Sequence, residues 1–150
     1  MSLSEDEIRR SHNESIGRLF LRAHRDFQAR VMAKLHEGGS DSISPAHLTA
    51  LSQLVGGEMR VVDLAKQMNI TKQSASDLIR DLEAHGLVER KPDPRDKRAA
   101  IIRFTKAGEA FLLDRMQIAA EIDQEYRDLL GEDEFAMLMR LLTRVVEGES

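Results

Sequence analysis

The chain of 150 residues contains no cysteine, which excludes disulfides, thiolate metal ligands and thiol-based oxidation sensing. No apolar run exceeds a few residues, so the sequence offers no membrane span, and the polar opening "MSLSEDEIRRSHNE" lacks the apolar middle of a signal peptide. With 41% apolar and 32% charged residues the composition is that of a soluble domain, large enough for one core or two small lobes. A cytoplasmic protein without a membrane partner is expected. Also missing are a phosphate-binding glycine loop, a nucleophile motif and a clustered pair of carboxylates, so neither an enzyme nor a cofactor is expected. His12, His24 and His36 recur at twelve-residue steps within one expected helix. Each step turns about 120°, so the three point apart and cannot share a metal; a zinc site would need several helices, drawing on His47 or His85. Repeats and low-complexity segments are absent.

What the chain does have is charge in an uneven layout. The net charge is −4, yet from Arg60 to Gly108 eleven basic residues face seven acidic ones, leaving that segment at +4 and the flanks together at −8. A chain that is basic at its centre and acidic at its ends suits a polyanionic partner at the centre.

The pattern of apolar residues predicts mostly helices. Ile8, Ile16, Leu19, Phe20, Ala23, Phe27, Val31 and Leu35 recur at three- and four-residue steps, giving a long amphipathic helix over 5–37 that Gly38 and Gly39 end. Ser44 before Pro45 is an N-cap with proline at the first helical position, and Leu48, Leu51 and Leu54 continue a short helix to Gly56 and Gly57. A third helix over "VVDLAKQMN" buries Val61 or Val62, Ala65 and Met68, starts without a clear cap, and ends at Asn69 in a left-handed conformation. Thr71 caps a fourth helix running to His85, with Gly86 as its stop. About three residues separate the last two helices, the turn length of a helix-turn-helix. In the fourth helix Ala75, Leu78, Ile79 and Leu82 face inward, so Lys72, Gln73, Ser76, Asp77 and Arg80 face out. "LVERK" and "AAIIRF" then read as a hairpin whose long tip is "PDPRD". Thr105 caps a fifth helix with Phe111, Leu112, Met116, Ala119, Ile122, Tyr126 and Leu129. Gly131 separates it from a last helix carrying Phe135, Leu138, Leu141, Leu142 and Val145.

A helix-turn-helix followed by a basic hairpin fits duplex DNA. The major groove, roughly 12 Å wide, admits one helix, whose first residues reach base edges. The Thr71 and Lys72 end presents unpaired backbone N–H groups to a phosphate. Gln73 can pair with adenine, Arg80 with phosphate or guanine, and Ser74 and Ser76 are short enough for close approach. Asp77 has no role in this scheme. In the hairpin, Arg98 suits insertion into a narrow minor groove, with Asp96 orienting it through a charge-assisted hydrogen bond and Pro92 and Pro94 stiffening the loop. Lys91, Arg95 and Lys97 are phosphate contacts.

The stretch "NITKQSASDLIRDLEAHGLVERKPDPRDKRAAIIRFTKAGEAFL", from Asn69 to Leu112, resembles the recognition helix, wing and following helix of the multiple-antibiotic-resistance regulator (MarR) family. "DPRDKR" and the "TKAG" at 105–108 are its most specific parts. The resemblance implies a mainly α fold with a small β-hairpin wing. It places a winged helix-turn-helix DNA-binding lobe at 44–104 and dimerisation helices at 5–37 and 106–148, all within one domain over 1–150. It also implies a homodimeric transcription regulator, usually a repressor, that leaves a palindromic operator when a small, often aromatic and anionic, effector binds; Asp96 and Arg98 hold the wing-tip positions. A DNA-binding regulator without small-molecule response and a helical protein-interaction adaptor are the alternatives. Phe20, Met32, Met59 and Tyr126 are expected to be plain core, and the residues of a ligand pocket, the operator and the regulated genes are not readable.

Overall fold

The computed structural model of the chain describes Ser4 and residues 15–148. Its elements are helix α1 (Ile16–Glu37), α2 (Pro45–Gln53), a single 3-10 turn (Leu54–Gly56), strand β1 (Met59–Arg60), α3 (Val61–Met68), α4 (Lys72–Ala84), β2 (Val88–Asp93), β3 (Asp96–Phe104), α5 (Lys106–Leu130) and α6 (Glu132–Glu147). The part of the first expected helix before residue 15 lies outside the described residues. The fold is mainly helical with a small antiparallel sheet.

Two compact units divide the chain, residues 1–34 with 119–150 and residues 35–118. In the second, local signals set the helix ends. Ser44 caps α2 and its hydroxyl accepts the His47 backbone N–H, while the Ser44 N–H donates to His47 Nδ1, a reciprocal capping box with histidine in the place of the usual glutamate. No side chain caps α3 at Arg60, and Asn69 ends it at φ +52, the left-handed geometry that asparagine tolerates. Thr71 Oγ1 accepts the Ser74 N–H at 3.0 Å and so caps α4. The core of this unit is built from Leu48, Leu51, Leu54, Leu64, Ile79, Leu82, Val88 and Ile102, all buried. Leu78, expected inward, is only half-buried, because Ala75, Ile79 and Leu82 already fill the inner stripe.

The wing departs from the expected hairpin in two ways. A third strand exists: β1 pairs with β3 through Met59 opposite Ile102 and Arg60 opposite Ile101, giving the strand order β1-β3-β2. The tip is also short. The ladder continues past Pro92 to Asp93 opposite Asp96, with an irregularity between Pro92 and Asp93, so only Pro94 and Arg95 form the turn. Pro92 is tolerated because β2 is an edge strand. At the base of the wing Thr105 Oγ1 donates to the Gly86 carbonyl at 2.5 Å and accepts the Gly108 N–H at 3.0 Å, fixing the first turn of α5.

In the first unit, Val31, Ile122 and Phe135 are buried, and an ionic network ties α1 to α5. Arg30 donates to Asp26 at 2.8 Å and to Glu125 at 2.7 Å, Lys34 sits 3.1 Å from Glu125 and 3.2 Å from Glu121, and the Tyr126 hydroxyl donates to Asp26. Hydrogen bonds from Arg30 and then Tyr126 hold the Asp26 carboxyl below its ordinary range, and those from Arg30 and Lys34 do the same for Glu125. Phe20 is exposed, and Met32, Met59 and Tyr126 are half-buried, so none of the four is the plain core residue expected. The apolar faces of α1 and α6 have too few partners within one chain to close over them. Ile16, Leu19, Leu138, Leu141 and Val145 are between 40% and 65% exposed, a large apolar surface for two helices.

Candidate nucleic-acid interface

Burial of Ala75, Ile79 and Leu82 forces the opposite side of α4 into solvent. Thr71, Lys72, Gln73, Ser74 and Arg80 are exposed, and Ser76 and Asp77 half-buried. Asp77, left without a role by the sequence, acts as a bracket within the helix. It accepts Gln73 Nε2 at 3.1 Å and Arg80 Nη1 at 2.9 Å. Two candidate base or phosphate contacts are thus hydrogen-bonded to Asp77, and either must exchange that bond to engage a ligand.

In the wing, Asp96 Oδ1 accepts the backbone N–H of Arg98 at 3.0 Å. The expectation was a bond to the guanidinium; the carboxylate instead shapes the strand start, and the Arg98 side chain remains exposed. Arg95 is exposed at the turn. Lys91 is half-buried, 3.6 Å from Glu89. The Lys97 side chain lies outside the described residues. Arg90, one of the six cations that crowd residues 90–103, is structural: it donates to the Ser76 carbonyl at 3.2 Å and lies 3.1 Å from Glu83, tying β2 to α4.

Between the start of α4 and the wing lies a cleft of about 430 Å³ whose lining includes Arg60, Lys72, Ser76, Arg90, Asp96 and Arg98. Of its four cations, Arg90 is held by Glu83 and Arg60 by Asp93, which leaves Lys72 and Arg98 to meet an anion. Lys72, Ser76 and Arg98, nominated separately from the sequence, thus converge on one anion-accepting surface, whereas Gln73, Ser74 and Arg80 are not part of its lining. Sequence reasoning missed Arg60 and Asp93. Asp93 is 4% exposed, and its Oδ2 accepts Arg60 Nε at 2.6 Å and lies 2.5 Å from Nη2, while its Oδ1 accepts the Arg95 N–H at 2.7 Å. The Arg95 amide, reinforced by the Arg60 guanidinium, holds the Asp93 carboxyl below its ordinary range. "DPR" signalled a turn, but nothing near Arg60 marked it as the partner.

Two helices joined by a short turn, the second leading into a three-stranded sheet with a protruding basic turn, define a winged-helix protein. The MarR family model matches residues 41–99, and over that stretch the chain is similar to MarR-family transcription regulators. The chain is 30% identical over 78 residues to the transcriptional regulator HosA of Escherichia coli O111:H-, covering 52% of this chain and 58% of HosA. It is 24% identical over 136 residues to the HTH-type transcriptional repressor NicR of Pseudomonas putida KT2440, covering 91% of this chain and 85% of NicR. A cysteine-to-serine mutant of MarR from E. coli, crystallised with operator DNA, is 28% identical, with a TM-score of 0.69 over 89% of this chain and 96% of that one.

Proposed function

We propose that this protein is a dimeric, sequence-specific DNA-binding repressor that leaves a palindromic operator when a small aromatic or anionic molecule binds. The observation that carries the DNA part is the cleft beside the capped start of α4 in which the cations Lys72 and Arg98 meet, while Arg60 and Arg90 in its lining are held by Asp93 and Glu83. Such a surface accepts backbone phosphate while the helix start reaches base edges. The MarR structure with operator DNA lends support through its shared fold. The repressor sense draws on NicR, and the effector on the family resemblance.

The dimer is supported by the apolar faces of the first unit. Leu138, Leu141 and Val145 follow one side of α6 and are 40%, 45% and 59% exposed, more than a soluble monomer usually leaves in one patch. A two-fold dimer sets its recognition helices about one DNA turn, ~34 Å, apart.

The test is selection of bound duplexes from a random pool. A palindrome with half-sites about 10 base pairs apart is the expected product, and no enrichment at low salt would defeat the proposal in favour of a protein-interaction adaptor. Leu141→Glu should convert a dimer to monomer in sedimentation, and a thermal-shift screen with phenolic acids should reveal an effector as a rise in melting temperature.

A further inference from the structure

The exposed cations explain attraction to DNA but not why the wing turn keeps one shape. Pro94 has a fixed φ; Arg95 has no such constraint and is exposed. Its backbone is nevertheless held, because its N–H donates to Asp93 Oδ1 at 2.7 Å. The same carboxylate is buried and takes Arg60 through both Nε and Nη2. Arg60 in turn is the last residue of β1 and the cap position of α3, the first helix of the helix-turn-helix. The wing turn and the junction of β1 with α3, 33 residues away in sequence, thus meet on one side chain.

We infer that Asp93, clamped by Arg60, is a positioning residue that latches the wing turn to the start of the helix-turn-helix and so presents the wing to DNA already ordered. This rests on the DNA-binding reading above. Without the latch, binding would have to freeze the turn, and restricting one residue's backbone lowers affinity by roughly tenfold. The irregularity between Pro92 and Asp93 serves the same end. It breaks the regular ladder at Asp93, the residue whose side chain is buried against Arg60.

The sign of one substitution decides the matter. Asp93→Ala removes a carboxylate from a surface meant for a polyanion and frees Arg60, so charge alone predicts tighter binding. The latch predicts the opposite, roughly tenfold weaker binding to the selected duplex, with an unchanged salt slope because no phosphate contact is lost. Arg60→Lys keeps the charge but loses the two-pronged bond. It should fall between wild type and Asp93→Ala, and it keeps the test alive if the alanine variant does not fold. Tighter binding by either variant overturns the latch. A second readout needs no DNA: hydrogen exchange at the Arg95 amide should be slow in the wild type and at least roughly tenfold faster in both variants. If the wild type binds no duplex, the regulator reading fails and the Arg95 amide alone decides; equal exchange in all three proteins rules the latch out.

Discussion

Gly108→Ala should destabilise the protein, although helix propensity predicts the reverse. Gly108 stands in the first turn of α5, where replacing glycine by alanine normally gains about 1 kcal/mol. A Cβ at this position would lie 1.9 Å from the Leu87 carbonyl oxygen and 2.9 Å from both the Leu87 carbonyl carbon and the Phe104 ring. Ordinary contact begins at 3.4 Å, so the backbone must give by about 1.5 Å. It is poorly able to. The Leu87 carbonyl accepts the Thr105 N–H at 3.1 Å, and the Thr105 hydroxyl bridges Gly86 and Gly108. Overpacking costs about 1–3 kcal/mol, and loosening one or two of these hydrogen bonds adds about 1 kcal/mol each. Against the propensity gain the net is about 1–4 kcal/mol, a fall in melting temperature on the order of 10 °C at the upper end. Circular dichroism melts at one protein concentration measure it. The control is Gly17→Ala in α1, where nothing lies within 4 Å of the added methyl, so stability should stay level or rise by up to about 1 kcal/mol. A Gly108→Ala protein that melts at or above the wild-type temperature would refute the reasoning.

Other perturbations follow from the same contacts. Thr71→Ala removes the cap of α4 and should cost about 1 kcal/mol, seen as a fall of about 2–4 °C in melting temperature. It should also weaken DNA binding by loosening the helix start. In the first unit, Asp26 and Glu125 have lowered folded-state values. Their contribution is therefore full above the ordinary carboxylate range and is lost as pH falls through the lowered values. The urea midpoint should drop from about pH 5 to about pH 3, and Asp26→Asn should flatten that dependence.

The helix boundaries were legible because each depends on a few adjacent residues. Ser44 with Pro45, Asn69 and Thr71 each carry their own conformational preference, and the spacing of Ala75, Ile79 and Leu82 turned α4 the right way. Features that depend on register were not legible. β1 is two residues long and carries no periodicity, and the tightness of the wing turn follows from the pairing of Asp93 with Asp96 beyond a proline. Arg90 looks like its basic neighbours in the sequence. Only its place on β2, across from Ser76 and Glu83, makes it structural. The Arg60 to Asp93 contact joins positions 33 apart, with no local mark on either. The candidate site was therefore legible as a set of exposed cations but not as an ordered surface.

The central claim is that Lys72 at the start of α4 and Arg98 on the wing engage DNA phosphates and grooves in one complex. Its most direct test is the slope of log affinity against log salt for the selected duplex, measured by fluorescence anisotropy for wild type, Lys72→Ala, Arg98→Ala and the double variant. Each phosphate contact contributes about 0.9 to the slope. The expected result is a steep wild-type slope that Lys72→Ala lowers by about 1, with Arg98→Ala costing affinity and the double variant losing both. Slopes and affinities unchanged across all four proteins would contradict the account.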